Sequence, residues 1–305
     1  MTTRVLVLGA AAGGGLPQWN CTVGASGPLW SADKAHLHAT QSSIAIGTDG
    51  HWTVVNASPD IREQIIRQPL LHPTSAPGDA PRRTPITRVI LTNADLDHIA
   101  GLLSLRERTA FDLVATRTTL ETLAANPVFN AVAAARRISV DIDTNFSLHG
   151  GCKARLFSVP GKTPLFLEPS GGTPEVGNRT EETVGLDVRS GDGKRLCYLP
   201  GCAAIDDEVR RQVHGSDVLL FDGTVFHDDE LARAGVGEKT GRRMGHVPIA
   251  GADGSLAQLA DVEVGRRIYI HINNTNPIWQ PDGPERHEVE RYGWEVAYDE
   301  MKISL

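Results

Sequence analysis

Cysteine is scarce in this 305-residue sequence. Cys21, Cys152, Cys197 and Cys202 are too few and too scattered for a disulfide scaffold, which fits a reducing compartment. No apolar run approaches the roughly 18–20 residues needed to cross a bilayer, which excludes a membrane-spanning helix. A basic excess is also missing. Lysines and arginines number 30 against 37 aspartates and glutamates, and the net charge of −7 argues against a nucleic-acid partner. Aromatics are few, at 5%. Near the amino terminus Arg4 precedes Val5-Leu6-Val7-Leu8 and then small residues, but this apolar run falls short of the ~7–15 residue core of a secretory signal. It reads as a buried strand entering a glycine loop, and the protein is expected to be cytoplasmic.

What remains is an ordinary globular chain, with 40% hydrophobic and 22% charged residues and 31 glycines. Strands and helices alternate without a long linker or a repeat, so one domain is expected over residues 1–305. Strand patterns fall at Val5–Leu8, Ser42–Ile46 and Trp52–Asn56, the last two joined by a Thr48-Asp49-Gly50 turn. Later ones fall at Arg88–Leu91, Phe111–Ala115, Ile138–Ile142, Ala154–Val159, Val218–Phe221, Arg267–Ile270 and Glu295–Tyr298. A hairpin is expected from Val184–Val188 and Arg195–Leu199 around Ser190-Gly191-Asp192-Gly193. Helices are expected from Ser58 (as cap, with Pro59 at the first helical position) to Gln68, at Ile99–Arg106, from Arg117, and at Pro284–Tyr292. Residues 71–85 and 168–180 read as loops. Hairpins among the βα units suggest two stacked sheets flanked by helices, with ligand-type residues just beyond buried strands.

The glycine stretch Gly9-Ala10-Ala11-Ala12-Gly13-Gly14-Gly15 follows a strand, but it lacks a glycine at position 11 and Pro17 opposes an immediate helix. A dinucleotide fingerprint is therefore rejected, and close backbone packing or substrate contact, here assigned to Gly14, remain. Asn93-x-Asp95-x-Asp97-His98 directly follows a strand. It is either a solvated acidic turn with Asp97 capping the next helix, or a set of side chains converging on one ion.

The order of later motifs favours the ion. The segment resembles the His-x-His-x-Asp-His signature of the metallo-β-lactamase superfamily. Pro160-Gly161-Lys162-Thr163-Pro164 resembles its Pro-Gly-His-Thr-Pro, and Leu199-Pro200-Gly201-Cys202 falls where Gly-Asp is expected. Leu219 to Thr224, Met244-Gly245-His246 and Ile270-His271-Ile272-Asn273-Asn274 complete the series. The resemblance implies an αββα sandwich of two mixed β-sheets packed face to face with helices outside. In the binuclear hydrolases of that fold, one metal uses positions occupied here by Asn93, Asp95 and Lys162, with Cys202 where a bridging aspartate belongs. A lysine ammonium has no lone pair, so only the second metal position should survive, on Asp97, His98 and His271. Two histidines and one carboxylate form the pattern of non-haem Fe(II) sites that activate oxygen. His246 is expected as a catalytic proton carrier or substrate contact, and Asp222 as an orienting or substrate-binding group. Asn93, Asp95 and Asn273 are assigned to substrate binding, and Lys162 to a substrate carboxylate.

The strings from Gly13 to Cys21, Asn56 to Arg62, Leu91-Thr92-Asn93, Lys239 to His246 and His271 to Pro277 resemble, more narrowly, the B family of pyrroloquinoline quinone (PQQ) biosynthesis proteins. That resemblance implies iron-dependent, O2-using hydroxylation of the tyrosine-derived ring of a Glu–Tyr cross-linked, diamino-acid precursor. One Fe(II) would be the cofactor, with zinc able to occupy its site in a purified sample. Other proteins of the pathway would be partners, and a homodimer is the base-rate assembly. The alternative is a carrier that takes PQQ or its precursor toward the periplasm without catalysis. The family's Cys-x-Cys-x-x-Cys is reduced here to Cys21, with Val23 and Ser26 in the other places, so no structural zinc is expected. The segment Cys21–Leu29 is then held by packing or left mobile.

Overall fold

The computed structural model describes residues 2–48, 50–74, 80–168 and 175–305; Asp49 of the expected turn and the middles of both long loops lie outside the described residues. Strands β1 (Arg4–Gly9), β2 (Ser43–Thr48), β3 (His51–Val55), β4 (Ile86–Ile90), β5 (Phe111–Ala115) and β6 (Ala135–Ser139) form the first sheet. The second contains β7 (Asn145–Ser147), β8 (Lys153–Lys162), β9 (Val176–Arg189), β10 (Arg195–Leu199), β11 (Ser216–Asp222), β12 (Val264–Ile270) and β13 (Trp294–Val296). β14 (Lys302–Ser304) returns to pair antiparallel with β1. The sheets are built alike. In each, antiparallel pairings at one side give way to parallel pairings at the other, β3 to β6 and β10 to β13.

The helices are α1 (Ile61–Arg67), α2 (Leu96–Ile99), α3 (Arg117–Ala125), α4 (Asp207–Val213), α5 (Glu230–Arg233), α6 (Ser255–Gln258) and α7 (Pro284–Arg291). Successive strand residues point to opposite faces, and β1 shows the result. Val5 and Val7 join Ile44, Ile90, Leu186, Tyr198 and Ile270 in the core between the sheets. Leu6 and Leu8 face outward, under Ile61 of α1 and Leu123 of α3. The outer face of the second sheet is covered by Val209 and Val213 of α4, Leu256 of α6 and Val289 of α7. Each central strand is buried on both faces, so its apolar run is continuous. The αββα arrangement of two mixed sheets is the one expected from the motif order.

Several elements differ from the sequence reading. The first helix begins at Ile61, and Ser58 does not cap it. Asp60 holds the capping position without capping, because its Oδ2 accepts Gln41 N–H at 2.9 Å and Gln41 Nε2 at 3.0 Å. The expected helix Ile99–Arg106 is instead α2 followed by a 3-10 segment, Ala100–Leu105. Gly101 N–H donates at 2.9 Å to Ala57 O, outside the helix, which draws the chain into the tighter spiral. Residues 176–180 are strand, not loop, pairing with Pro160–Lys162. Their side chains are mostly exposed and polar, so no apolar alternation marks them. The strand expected at Ile138–Ile142 lies three residues earlier, for the same reason. The last one spans Trp294–Val296, and the short β7 and β14 carry too few apolar residues to announce themselves.

One buried acid sets a pH dependence. Glu230 is 5% exposed; its carboxylate accepts the Phe226 N–H and the Thr275 hydroxyl, both at 2.6 Å. Burial still prevails and pushes its pKa up to about 7. The unfolded chain ionises this group near 4.5, so between there and about 7 the folded state retains a proton that the unfolded state has shed. Stability therefore falls as pH rises through that window, by about 3 kcal/mol in all. Thermal melts of Glu230→Gln from pH 4.5 to 8 should lack this contribution to the slope, and an unchanged slope would reject it.

Candidate metal centre

The site lies where the carboxyl ends of β4, β11 and β12 meet. Beyond β4, Thr92 is pinned by its N–H to Asn56 Oδ1 at 2.9 Å. Asn93 Oδ1 then accepts the Asp95 N–H at 3.0 Å and lies 2.7 Å from His98 Nδ1. One amide oxygen thus closes the turn and orients the imidazole. With Nδ1 donating, the lone pair of His98 sits on Nε2, a buried atom with no hydrogen-bond partner and 3.9 Å from Asp97 Oδ2.

The second sheet supplies the remainder. Parallel pairing sets Asp222 opposite Ile270, so His271 emerges beside Gly223 and Thr224. His271 adopts φ 59°, a left-handed conformation that costs a non-glycine residue about 1 kcal/mol or more. Backbone bonds hold it there: Ile272 N–H donates to Ala10 O at 2.9 Å, and Ala12 N–H to Ile272 O at 2.8 Å. Its Nε2 faces Asp97 Oδ2 at 3.0 Å.

Two groups of donor side chains gather among the described residues, Asp97/His98/His271 and Asp222/His246/His271. The second is already filled. Thr224 Oγ1 lies 2.7 Å from Asp222 Oδ1, 2.8 Å from His271 Nδ1 and 3.1 Å from His246 Nδ1, and His246 Nδ1 lies 2.7 Å from Asp222 Oδ2. A hydroxyl that donates to the carboxylate and accepts from imidazole leaves Nε2 as the free nitrogen of His271, directed at Asp97.

The first group has the electronic state of a ligand set. Burial pushes His98 down to about 4 against the pull of Asp97, so its imidazole is neutral at neutral pH. Burial would raise Asp97, but His98 and His271 outweigh it and hold the carboxyl well below its usual range. Burial likewise opposes charge on His271, yet the hydrogen bond and charge of Asp97 prevail and raise it. Two facing lone-pair atoms at 3.0 Å require a proton or a metal ion between them. The orphaned Nε2 of His98 beside them fits an ion.

A cavity of about 290 Å³ opens over these three donors. Asn93, Asp95, Lys162, His246 and Asn273 line it, as does Asp97. Gly13 also lines it, while Gly14 gives its amide to Gln41 Oε1 at 3.1 Å and is not part of the wall. The glycine loop packs its backbone closely, since a Cβ on Gly9 would sit 2.2 Å from Gln41 O. Asp222 lies beneath the cavity, fully buried, bracing His246. A larger groove of about 1080 Å³, bounded by Leu29, Trp279 and Tyr298, contains none of the donors. Sequence reading gave Thr224 no role, although it closes the Leu219–Thr224 motif two residues past the aspartate at a strand end. It also gave no role to Glu168, or to Lys239, Arg243 and Met244 of the Lys239–His246 string, which line the cavity from two different loops.

A family profile described as "Beta-lactamase superfamily domain" matches residues 51–272. Coenzyme PQQ synthesis protein B of Methylobacterium sp. (strain 4-46) is 51% identical over 306 residues, covering 99% of this chain and 100% of that protein. The protein of the same name from Ruegeria pomeroyi is 49% identical at the same coverage. This chain belongs to the PQQ synthesis protein B family. A solved structure described as Zn(2+)-bound PqqB from Methylobacterium extorquens superposes with a TM-score of 0.94 at 47% identity, covering 99% of this chain and 100% of that one. A diphosphatase of the PhnP family, at 19% identity and a TM-score of 0.68, shares the fold.

Within this family member, Cys202 and Lys162 depart from the metal-ligand pattern of the fold. Cys202 donates its N–H to Asp222 Oδ2 at 2.9 Å and its thiol to Ala204 O at 3.1 Å; burial first, then Asp222, pushes the thiol pKa up. A protonated thiol is a poor ligand. Lys162 Nζ stands 3.6 Å from Asp95 Oδ1 and 3.6 Å from Glu168 Oε1, and donates to Thr163 O at 3.2 Å. Its stem passes Gly245 (φ 88°), where a Cβ would lie 2.9 Å from Lys162 Cγ. In the amino-terminal segment, Ser26 Oγ accepts Gln18 N–H and Asn274 Nδ2, both at 3.1 Å, and Trp30 Nε1 donates to Cys21 O at 2.7 Å. Hydrogen bonds anchor the loop that begins at Cys21.

Thr224→Val keeps the shape of the buried side chain and removes the hydroxyl that fixes the His271 tautomer. Zinc affinity, measured by chelator competition, should fall about 10- to 100-fold. Unchanged affinity would remove Thr224 from the site.

Proposed function

We propose that this chain acts in PQQ synthesis, as its relatives are named, by hydroxylating the tyrosine-derived ring of a Glu–Tyr cross-linked precursor with Fe(II) and dioxygen. The observation that carries the reading is the convergence of Asp97 Oδ2, His271 Nε2 and the unpartnered, buried His98 Nε2 under a cavity of about 290 Å³. Two imidazoles and one carboxylate would hold a single ion and leave coordination positions open. Bound Fe(II) would supply dioxygen activation there, which redox-inactive zinc does not. Each hydroxylation inserts one oxygen atom into a ring C–H bond. The other leaves as water, reduced by two electrons and two protons from an external reductant.

The chain's own groups account for proton handling. His246 Nδ1 donates to Asp222 Oδ2 at 2.7 Å, so Nε2 of this cavity-lining ring is the basic nitrogen. It accepts a ring or phenol proton while the Asp222 carboxylate offsets the charge formed. Asn93 holds His98 in its tautomer, and Asp95 and Asn273 present polar groups to the precursor. The work is read as that of an enzyme because a carrier has no need of an ion with open positions.

Anaerobic loading with Fe(II), followed by oxygen-electrode measurements with a Glu–Tyr-type diamino acid, tests the reading. Wild type should consume oxygen with ring hydroxylation, and His271→Ala should not. Tight binding of the quinone without turnover, unchanged in His271→Ala, would leave the carrier reading. Metal analysis should give one equivalent per chain, lost in Asp97→Ala. An equivalent surviving that substitution would mean a site elsewhere.

A further inference from the structure

Charged side chains line the cavity in alternation: Asp95, Lys162, Glu168, Arg243. Glu168 is clasped from both sides. Its Oε1 lies 3.6 Å from Lys162 Nζ and 3.5 Å from Arg243 Nη1, and its Oε2 accepts Arg243 Nη2 at 3.1 Å. Only 10% of this side chain is exposed, and Lys239 lines the same cavity. A carboxylate is thus lodged between Lys162 and Arg243, in the cavity that opens over the candidate metal centre. Among the described residues of the wall, Lys162, Lys239 and Arg243 cancel Asp95, Asp97 and Glu168. A divalent ion on Asp97 would leave two positive charges unmatched, a surplus suited to an acidic ligand.

We propose that Lys162, Lys239 and Arg243 form an anion subsite whose resident carboxylate, Glu168, exchanges for a carboxylate of the ligand. The exchange is physically inexpensive because the ammonium and guanidinium stay paired throughout, and no buried cation is orphaned. Glu168 follows a short turn, Leu165–Leu167, whose side chains are exposed at 55%, 38% and 46%. Arginine's planar fork accepts either carboxylate in the same way. The ligand class, an aromatic polycarboxylate, rests on the reading of the preceding subsection.

The test is calorimetric titration of zinc-loaded protein with PQQ. Arg243→Met and Lys239→Met should each weaken binding about tenfold or more, the scale of one lost charge-assisted hydrogen bond. Glu168→Gln removes the competitor and should tighten binding by about threefold or more. 9,10-Phenanthrenequinone, a planar quinone without carboxylates, should bind Glu168→Gln and wild type alike. The proposal is overturned by Glu168→Gln binding PQQ equally or more weakly, which would make Glu168 a brace for Arg243. Cation variants within twofold of wild type, or no saturable PQQ binding by wild type, overturn it too. Should Arg243→Met not fold, Arg243→Lys and Glu168→Gln decide the matter, the former weakening binding less than Lys239→Met. If the affinities divide as stated while oxygen uptake fails, the subsite stands and the hydroxylase reading falls. If they do not divide, the subsite falls whatever the oxygen electrode shows.

Discussion

Everything at the site depends on a backbone junction between the two sheets. Ala10 and Ala12, just past β1, exchange hydrogen bonds with Ile272, just past β12. Asp97 and His98 come from the first sheet and His271 from the second, so the donors meet only if this junction holds its register. The same bonds flank His271 in its left-handed conformation, where the chain turns the imidazole toward Asp97 instead of continuing the strand. Small residues at 10 to 12 let the backbones approach closely. In this light the glycine- and alanine-rich loop is a joint, and its contribution to the cavity wall is secondary.

Around that joint both histidine donors are oriented by a neighbouring polar side chain. Asn93 fixes His98, Thr224 fixes His271, and Asp222 braces both Thr224 and His246. The two acceptor nitrogens that result, on His98 and His271, converge with one carboxylate. Lys162, meanwhile, stands between the carboxylates of Asp95 and Glu168, so its ammonium is matched by negative charge on two sides.

Much of this was legible in the sequence. Asp97, His98 and His271 could be named because the order of motifs resembles that of the metallo-β-lactamase superfamily, which places them at one metal position, and the structure gathers the three side chains together. The sheet architecture followed from the order of the short, continuous apolar strands. What could not be read were contacts between distant segments. Nothing near Glu168 or Arg243 announces that they meet, since each lies in a polar loop and their pairing is made by tertiary structure alone. Residues 176–180 read as loop in the sequence because an exposed extension of β9 has no apolar face to display. Helix ends failed where a side chain had another engagement, as with Asp60 and Gln41, or where a backbone amide did, as with Gly101 and Ala57.

The burial of the cysteines has a consequence for chemistry with dioxygen. All four thiols are buried and unpaired, and burial pushes Cys197 up to about 12. Thiols sealed from solvent, and above all those of Cys197 and Cys202 that burial keeps protonated, are poor targets for peroxide and other partly reduced oxygen species. Met244 is different, because its thioether belongs to a residue of the cavity wall. Under the hydroxylase reading, a turnover that misfires releases oxidant next to that sulfur, whose sulfoxide would bring a polar group into the cavity. Self-inflicted damage would thus be recorded in the active site itself, while the sulfur of the core stays intact.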